Sequence, residues 1–310
     1  MVSLPRKQTM TRSLFRFLFA FLLPLLFIGS TLALADGPEG DHVDSARIAK
    51  AVDGLKETEQ ALYLFERVER VEDRKSSGDA KPYQVKTSRV FPAGTGIAHI
   101  QLGPDAVPTD ATKYRTEMES LLGALTWAAQ SGKPQREAYE KVTKKQKERA
   151  DLIDQTRNAF LFTYLGDEMR GDRKLLKFRL DPNPSYRATS RGASIFAKVK
   201  GTVWLDEESG QMARIVGDVT DDISFGLFLG KIYKGSHFMQ ERYELAPGVW
   251  LPSFSQYDFD ARKLFSQISV HQKTFASNYR RVGPPADAIP LVKAELERLG
   301  SVAENKTGAN

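Results

Sequence analysis

The sequence predicts an α+β fold in which a strongly curved antiparallel sheet, a half-open β-barrel, has helices packed across its concave side. Residues 159–282 form many short segments of alternating apolar and polar side chains, separated by turn residues. This pattern is typical of consecutive antiparallel strands. Three earlier segments instead repeat apolar residues at the helical period. A sheet of so many strands curls or closes, so we expect the helices to cover a bent sheet.

The helices are predicted at 43–60, 112–130 and 134–158. In the second of them Met118, Leu121 and Leu125 fall on one stripe, as expected for a helix with one buried face. The third helix has many basic and few apolar residues. We therefore expect it to be a solvated helix that covers the body of the protein. A basic surface that contacts anionic lipid headgroups is the alternative.

The strands alternate with turns through the rest of the chain. Strands are predicted at 61–71, 83–90, 96–102, 160–164, 176–180, 195–205, 212–216, 238–245, 249–257 and 264–275. Asp258-Phe259-Asp260 is interpreted as a turn because Asp is favoured there. Residues 36–282 are predicted to form a single domain, followed by a short helix near 289–299 and a loose tail within 283–310.

The first 35 residues have the features of a secretory signal peptide. An apolar core at 17–28 follows a basic leader that has no acidic residue, and Ala33-Leu34-Ala35 fits the cleavage pattern. The basic residues of the leader are Arg6, Lys7, Arg12 and Arg16. We expect cleavage after Ala35 and a periplasmic location. Retention of the segment as an anchor is the alternative, since a membrane-spanning helix needs roughly 20 apolar residues.

Removal of the leader changes the charge of the protein. Residues 36–310 keep 41 basic against 39 acidic side chains, so the argument for nucleic-acid binding from basicity is lost. The chain has no cysteine, which excludes disulfides and the lipid-carrying cysteine of a bacterial lipoprotein. We therefore expect an exported protein that is stabilised by an ordinary core and is not a lipoprotein.

One hairpin of the strand-rich half resembles a known family. Residues 201–206 (GTVWLD) and 210–215 (GQMARI) resemble the hairpin of periplasmic lipoprotein-sorting proteins of the LolA/LolB-like superfamily. Residues 234–238 (KGSHF) and 247–253 (PGVWLPS) are similar to pieces of exported bacterial proteins in the same broad group. The resemblance implies a half-open antiparallel barrel with helices across its mouth and an apolar interior that accommodates acyl chains.

Aromatic side chains are the candidate contacts for such a ligand. A curved sheet that does not close leaves a concave face, and apolar side chains there can bind a lipid if the helices do not fill it. Packing of the sheet against the helices is the alternative role for each of them. The candidates are Phe160, Phe162, Tyr164, Phe178, Trp204, Phe225, Phe228, Phe238, Trp250 and Phe254. Trp204 and Trp250 are also suited to an exposed rim, where the indole N–H reaches water.

Residues 223–234 form an apolar, glycine-containing segment between strands, flanked by Asp221 and Asp222 on one side and containing Lys231 and Lys234. We interpret it as a lid or a lip that touches the membrane. A buried crossover between strands is the alternative interpretation.

The sequence contains no convincing catalytic or cofactor motif. Residues 226–231 (GLFLGK) are one residue short of a phosphate loop and lack its hydroxyl residue. The four histidines, His42, His99, His237 and His271, are widely spaced. His237 and Glu241 would share one face of a strand, and paired surface side chains explain them better than a metal does. No nucleophile elbow and no cysteine nucleophile are present.

These observations favour a soluble periplasmic carrier or chaperone that binds a lipid or an acylated protein in an apolar hollow, without catalysis. We expect no cofactor, no metal and no nucleic-acid partner, and contact with a membrane surface is an open possibility for the apolar segment. The first alternative is a binding or structural module of the cell envelope with a filled core that recognises a protein or a glycan. The second is an exported hydrolase that uses scattered carboxylates.

Overall fold

A computed structural model of the chain describes residues 39–190, 192–225, 230–263 and 266–307. The signal peptide predicted at 1–35 lies outside the described residues. The fold class predicted from the sequence is confirmed. The protein is α+β, with a strongly curved antiparallel sheet that does not close and helices packed on it.

Four α-helices are described. They are α1 (Glu39–Ala61), α2 (Ala111–Ala128), α3 (Lys133–Ala159) and α4 (Pro285–Thr307). Helix α2 begins after Asp110, whose side chain accepts a hydrogen bond from the backbone N–H of Lys113 and so caps the helix. Helix α4 is much longer than the short tail helix predicted from the sequence. Val292 and Ala288 of α4 are fully buried together with Leu125 of α2, so α4 is held by an apolar core.

Twelve strands form one sheet, and every strand pair in it is antiparallel. The strands are β1 (Phe65–Arg74), β2 (Gln84–Pro92), β3 (Ile97–Leu102), β4 (Phe160–Arg170), β5 (Arg173–Pro182), β6 (Val199–Asp206), β7 (Met212–Val219), β8 (Ile223–Phe225), β9 (Gly230–Ile232), β10 (His237–Ala246), β11 (Val249–Lys263) and β12 (Ser266–Arg281). Their order is β3-β2-β1-β12-β11-β10-β7-β6-β5-β4, with β9 joining β8 to β11. Strands β3 and β4 are therefore the two edges of the main path.

Two local predictions from the sequence are wrong. Asp258-Phe259-Asp260 is not a turn but part of β11. Phe259 is buried, whereas Asp258 accepts a hydrogen bond from Gln256 and Asp260 accepts one from Ser269, so strand alternation explains the two acids. Residues 195–198 do not belong to a strand, because Ala193–Lys198 forms a 3₁₀-helix before β6.

The strand register separates the two faces of the sheet. Lys177, Trp204 and Arg214 are direct cross-strand neighbours, and the same row continues through Glu241, Phe254, Phe275 and Arg70 to Thr87 and Leu102. Cross-strand neighbours point to the same side of a sheet. Leu102 packs on α2 and α4, so these two helices cover β1–β3 on the face that carries Trp204.

Helices α1 and α3 cover the other face, which is the concave one. Phe178 and Val203 are cross-strand neighbours there and pack with Ile48 and Val52 of α1. The first part of α3 lies next to the turn between β2 and β3, where Tyr139 is close to Gly94, and its last residue precedes β4. At 1.5 Å per residue, the 27 residues of α3 span about 40 Å. This helix therefore crosses the sheet from one edge to the other.

A buried polar network holds α2 and α4 on the sheet. Arg89 of β2 donates hydrogen bonds to Glu66 at 2.7 Å, to Glu295 at 2.8 Å and to the hydroxyl of Tyr114 at 2.7 Å. Burial and the bond to Glu295 raise the pKa of Tyr114 to about 12. Burial would raise the pKa of Glu295, but the hydrogen bonds from Arg89 and Tyr114 hold it below its ordinary value.

We expect the substitution Arg89→Met to lower the free energy of unfolding by about 2–3 kcal/mol, because Glu66 and Glu295 each lose a charged hydrogen-bond donor, although Glu66 keeps Arg280 and Glu295 keeps Tyr114. Urea unfolding at pH 7 measures this loss. The matched control is Arg115→Met, which removes an exposed arginine that pairs with Glu119 within α2 and should change the free energy by less than about 0.5 kcal/mol. Equal effects of the two substitutions would contradict a stabilising role for the network.

The same network predicts a pH dependence. The folded-state pKa of Glu295 is lowered, so its carboxylate contributes stability above the unfolded pKa of about 4.3 and loses this contribution as the pH falls through the folded pKa. The difference in unfolding free energy between the wild type and Glu295→Gln should therefore be largest near pH 7 and shrink towards pH 3. Urea titrations of both proteins at several pH values test this, and a constant difference would contradict it.

Candidate functional site

The concave face carries aromatic side chains in two clusters. Phe160 and Phe178 are buried against α1, and Phe162 packs against the same cluster. The ring of Tyr164 lies 5.5 Å from that of Phe178 but is 48% exposed. Phe238 packs further along the face with Phe259 and Tyr257. The structure thus places five of the aromatic residues predicted from the sequence on this face, four of them near α1 and Phe238 in a second cluster. They are Phe160, Phe162, Tyr164, Phe178 and Phe238.

Two other candidates lie on the opposite face. Trp204 lies between Lys177 and Arg214, whose charged groups are 5.2 and 4.8 Å from its ring, and its indole N–H donates to Glu168 at 2.7 Å. Phe254 pairs with Phe275 at 5.1 Å between ring centroids. Cations at these distances stabilise an indole ring, so the arrangement explains Trp204 without a ligand.

Trp204 and Trp250 do not form an exposed rim, contrary to the expectation from the sequence. They are only 6% and 3% exposed and belong to one cluster with Leu175 and Ala213. The guanidinium of Arg173 lies 5.1 Å from the Trp250 ring. The indole N–H of Trp250 is buried and has no hydrogen-bond partner in the described part of the chain. Cross-strand packing and the cations beside them bury both indoles.

Helix α3 is attached to α1 mainly through ion pairs. Lys56 pairs with Asp154 at 2.9 Å, Arg157 with Asp53 at 2.5 Å, and Arg149 with Glu59 at 2.7 Å. Among the described side chains of α3, only Gln135 and Ala159 are buried. Helix α3 is thus charged and largely exposed, as expected from the sequence. A helix held in this way contributes little apolar burial of its own.

Beneath α1 and α3 the middle of the concave face is polar. Arg242 of β10 is 6% exposed, and its guanidinium donates to Gln240 Oε1 at 3.2 and 3.0 Å. Burial lowers the pKa of Arg242 to about 10, although the negative charge of Glu59 acts to raise it. Burial also raises the pKa of Tyr257 and of Tyr279, and Tyr279 donates its hydroxyl to the carbonyl of Pro252 at 2.8 Å.

Sequence reasoning missed this polar group. One signal was available, because Phe238, Gln240 and Arg242 alternate along a single strand, and the concave position of Phe238 places Arg242 on the same face. Its burial depends on α1 and α3, and the sequence does not reveal which helix lies above β10.

The apolar segment at 223–234 forms the two short strands β8 and β9 at its ends. Ile223 and Ile232 are buried in the cluster around Phe259, and Lys231 pairs with Asp222 at 2.5 Å. The tip at 226–229, which includes Phe228, lies outside the described residues, as does the side chain of Phe225. The ends of the segment are thus anchored in the core, and a lip at the tip stays a prediction.

Within the described residues, the histidines and carboxylates form pairs and do not gather into a metal-binding group. His237 contacts Asp218 at 2.7 Å, whereas Glu241 pairs with Arg170 at 2.5 Å. Over the residues that the structure describes, no cluster of three or more His, Asp or Glu side chains has a geometry that suits a metal ion. A depression of about 590 Å³ lies near the turns after β6 and β10, and polar and charged residues such as Arg173, Glu208 and Glu244 dominate its lining.

Comparisons with known proteins give a likeness in fold. Neither protein-family models nor curated proteins match the chain. Among solved structures, the chain is similar to a putative outer membrane lipoprotein-sorting protein domain from Vibrio parahaemolyticus, with 11% identity, a TM-score of 0.29, and coverage of 76% of this chain and 93% of that one. It is also similar to a LolA superfamily protein from Nitrosomonas europaea (9% identity, TM-score 0.27, 76% and 92% coverage).

A third similar structure is a DUF1329 family protein from Desulfovibrio piger, with 8% identity, a TM-score of 0.25, and coverage of 76% of this chain and 93% of that one. At these TM-scores we draw no functional conclusion from the likeness. No helix within the described ranges is long and apolar enough to cross a membrane.

We expect the aromatic residues of the concave face to differ sharply in their contribution to stability. Phe178→Ala should lower the free energy of unfolding by about 3–5 kcal/mol because its ring is fully buried. Tyr164→Ala should lower it by less than about 1 kcal/mol, since half of the ring is exposed. Chemical denaturation measures both, and a large loss for Tyr164→Ala would place this residue in the core.

Proposed function

We propose that this chain is a periplasmic carrier or chaperone that binds a lipid or a lipidated protein in an apolar hollow and performs no catalysis. One observation carries the proposal. A 27-residue helix, α3, crosses the concave face of an unclosed sheet but is joined to α1 mainly by ion pairs. Aromatic side chains that an acyl chain would contact lie directly on that face.

The proposal treats the α1–α3 pair as a lid. Exposed ion pairs contribute about 0–1 kcal/mol each, so α3 can separate from its neighbours at a small cost. Uncovering the aromatic side chains then requires α1, which packs on Phe160 and Phe178, to move away from the sheet, but no strand pair has to break. The resemblance of the hairpin at 201–215 to lipoprotein-sorting proteins implies the same kind of interior.

Under this proposal the contacts with an acyl chain come first from Phe160, Phe162, Tyr164, Phe178 and Phe238. Phe225 and Phe228 would contribute from the segment at 223–234, which is also the part proposed to touch a membrane surface. The signal peptide at 1–35, cleaved after Ala35, would deliver the protein to the periplasm without a lipid anchor.

A second candidate is a binding or structural module of the cell envelope with a filled core. The observation that favours it is the tight packing beneath the helices, where Phe178 and Leu205 are almost fully buried. The depression described above is polar and does not lead between α1 and the sheet. In this case the outer surface or a sheet edge would recognise a protein or a glycan.

A reversible lock on α1 distinguishes the two candidates. A Cβ at Gly54 would lie 2.4 Å from the side-chain Cδ of Gln211, so the pair Gly54→Cys and Gln211→Cys can form a disulfide between α1 and the turn before β7. The chain has no other cysteine. If α1 and α3 form a lid, uptake of a fluorescent fatty acid should be about tenfold slower in the oxidised double variant than in the reduced one, because closing the lid restricts access.

The single variants Gly54→Cys and Gln211→Cys are the controls and should respond to neither oxidant nor reductant. Equal uptake by the oxidised and reduced double variant would exclude the lid. Absence of uptake by the wild type, together with absence of lipid from organic extracts of the protein purified from the periplasm, would exclude the carrier and favour the filled module.

A further inference from the structure

Arg242 is a buried guanidinium without a carboxylate partner. Its hydrogen bonds go to the amide oxygen of Gln240 alone, and it forms no ion pair with any Asp or Glu of the described residues. The partly buried Arg89, in contrast, is paired with Glu66 and Glu295. Burying a charge without a counter-charge is costly, so the arrangement at Arg242 is unusual within its own fold.

The charges around Arg242 do not neutralise it. Among the acidic residues, Glu59 of α1 has the largest electrostatic effect on Arg242, but both of its carboxylate oxygens accept hydrogen bonds from Arg149 of α3, at 2.7 and 3.0 Å. Arg67 and Glu69 on β1 form a second pair at 2.7 Å. Each of these pairs is neutral as a unit. One positive charge is therefore left over between the sheet and the α1–α3 pair.

Arg242 lies on the same strand as Phe238, one of the aromatic residues of the concave face. Arg242 and Phe238 lie on the same face of β10, four residues apart, which corresponds to about 13 Å along a strand. Phe238 belongs to the apolar cluster around Phe259. An elongated ligand with an anionic end at Arg242 would place its apolar part along β10 towards this cluster.

We propose that Arg242 binds the phosphate or carboxylate end of an anionic amphiphile whose apolar chain lies on the concave face. This inference rests on the proposed function and adds to it the chemical class of the ligand. Gln240 accepts from Nε and Nη2 of the guanidinium, which leaves N–H groups of Nη1 and Nη2 at its end, a pair that matches the geometry of a carboxylate or a phosphate. Such a ligand would supply the counter-charge that the described residues do not provide.

Three probes separate the parts of the ligand. Dodecyl phosphate carries the chain and the anion, dodecyl maltoside carries the same chain without charge, and inorganic phosphate carries the anion alone. Isothermal titration calorimetry on the mature chain measures each dissociation constant. We expect dodecyl phosphate to bind at least about tenfold more tightly than dodecyl maltoside, the effect of one charge-assisted hydrogen-bonded contact. Inorganic phosphate should compete weakly with it.

Three substitutions should change the affinity for dodecyl phosphate in different directions, which a loss of folding cannot do. Arg242→Met should weaken dodecyl phosphate binding about tenfold or more and leave dodecyl maltoside unaffected. Arg149→Met should weaken it too, because it releases Glu59 to neutralise Arg242. Glu59→Gln should strengthen it, since it removes the negative charge. The matched controls are Glu57→Gln, an exposed residue of the same helix, and Arg214→Met, which lies on the opposite face.

The outcomes separate the inference from the proposed function. If neither dodecyl probe binds, both are overturned. If both probes bind equally and the Arg242 and Glu59 variants do not distinguish them, the carrier stands and the anion site is overturned. If inorganic phosphate binds as tightly as dodecyl phosphate, the site recognises a free anion and the amphiphile is overturned. Thermal unfolding of Arg242→Met shows that the variant is folded, and Arg242→Lys should retain part of the discrimination.

Discussion

The sheet of this protein curves but never closes, and α3 is the element that spans the opening. Its first turns lie beside the β2–β3 turn and its last residue leads into β4, so one straight helix links the two edges of the strand order. The arrangement of α1, which packs on Phe178 and Val203 and pairs with α3, follows from this. The size of the space between these helices and the sheet therefore depends on how closely α3 approaches the curved surface.

The two pairs of helices are held by different forces. Helices α2 and α4 share a fully buried apolar core and the network around Arg89, which fixes them to β1–β3. Helix α3 is instead held by exposed ion pairs, which are weak in water. The polar stretch around Arg242 lies under the weakly held pair. The protein thus combines helices that are fixed by buried apolar packing, including α1, with an outer helix, α3, that is attached mainly by ion pairs.

The periodicity of the sequence predicts much of this architecture. The stripe of Met118, Leu121 and Leu125 predicts α2, and the alternation around Trp204 predicts a strand. The prediction of a turn at Asp258-Phe259-Asp260 is wrong, because a continuous strand with a buried Phe between two acidic residues on the opposite face has the same sequence pattern. The separation of Trp204 from Phe178 depends on strand register, and the burial of Arg242 depends on the placement of α1. Both are long-range properties that local patterns do not encode.

The junction between α3 and β4 has a mechanical consequence. Ala159 ends the helix and Phe160 begins the strand with no residue between them, whereas four residues, 129–132, separate α3 from α2 at its other end. At the α2 side the connection is tied by hydrogen bonds from Gln135 to Gln130 and from Tyr139 to the carbonyl of Ala128, whereas at the β4 side a rotation of α3 would apply torque directly to the edge strand. The register shift between Tyr164 and Gly166, where Gly166 has φ 114°, lies where that torque would be absorbed. A movement of α3 would therefore be coupled to the course of the edge strand.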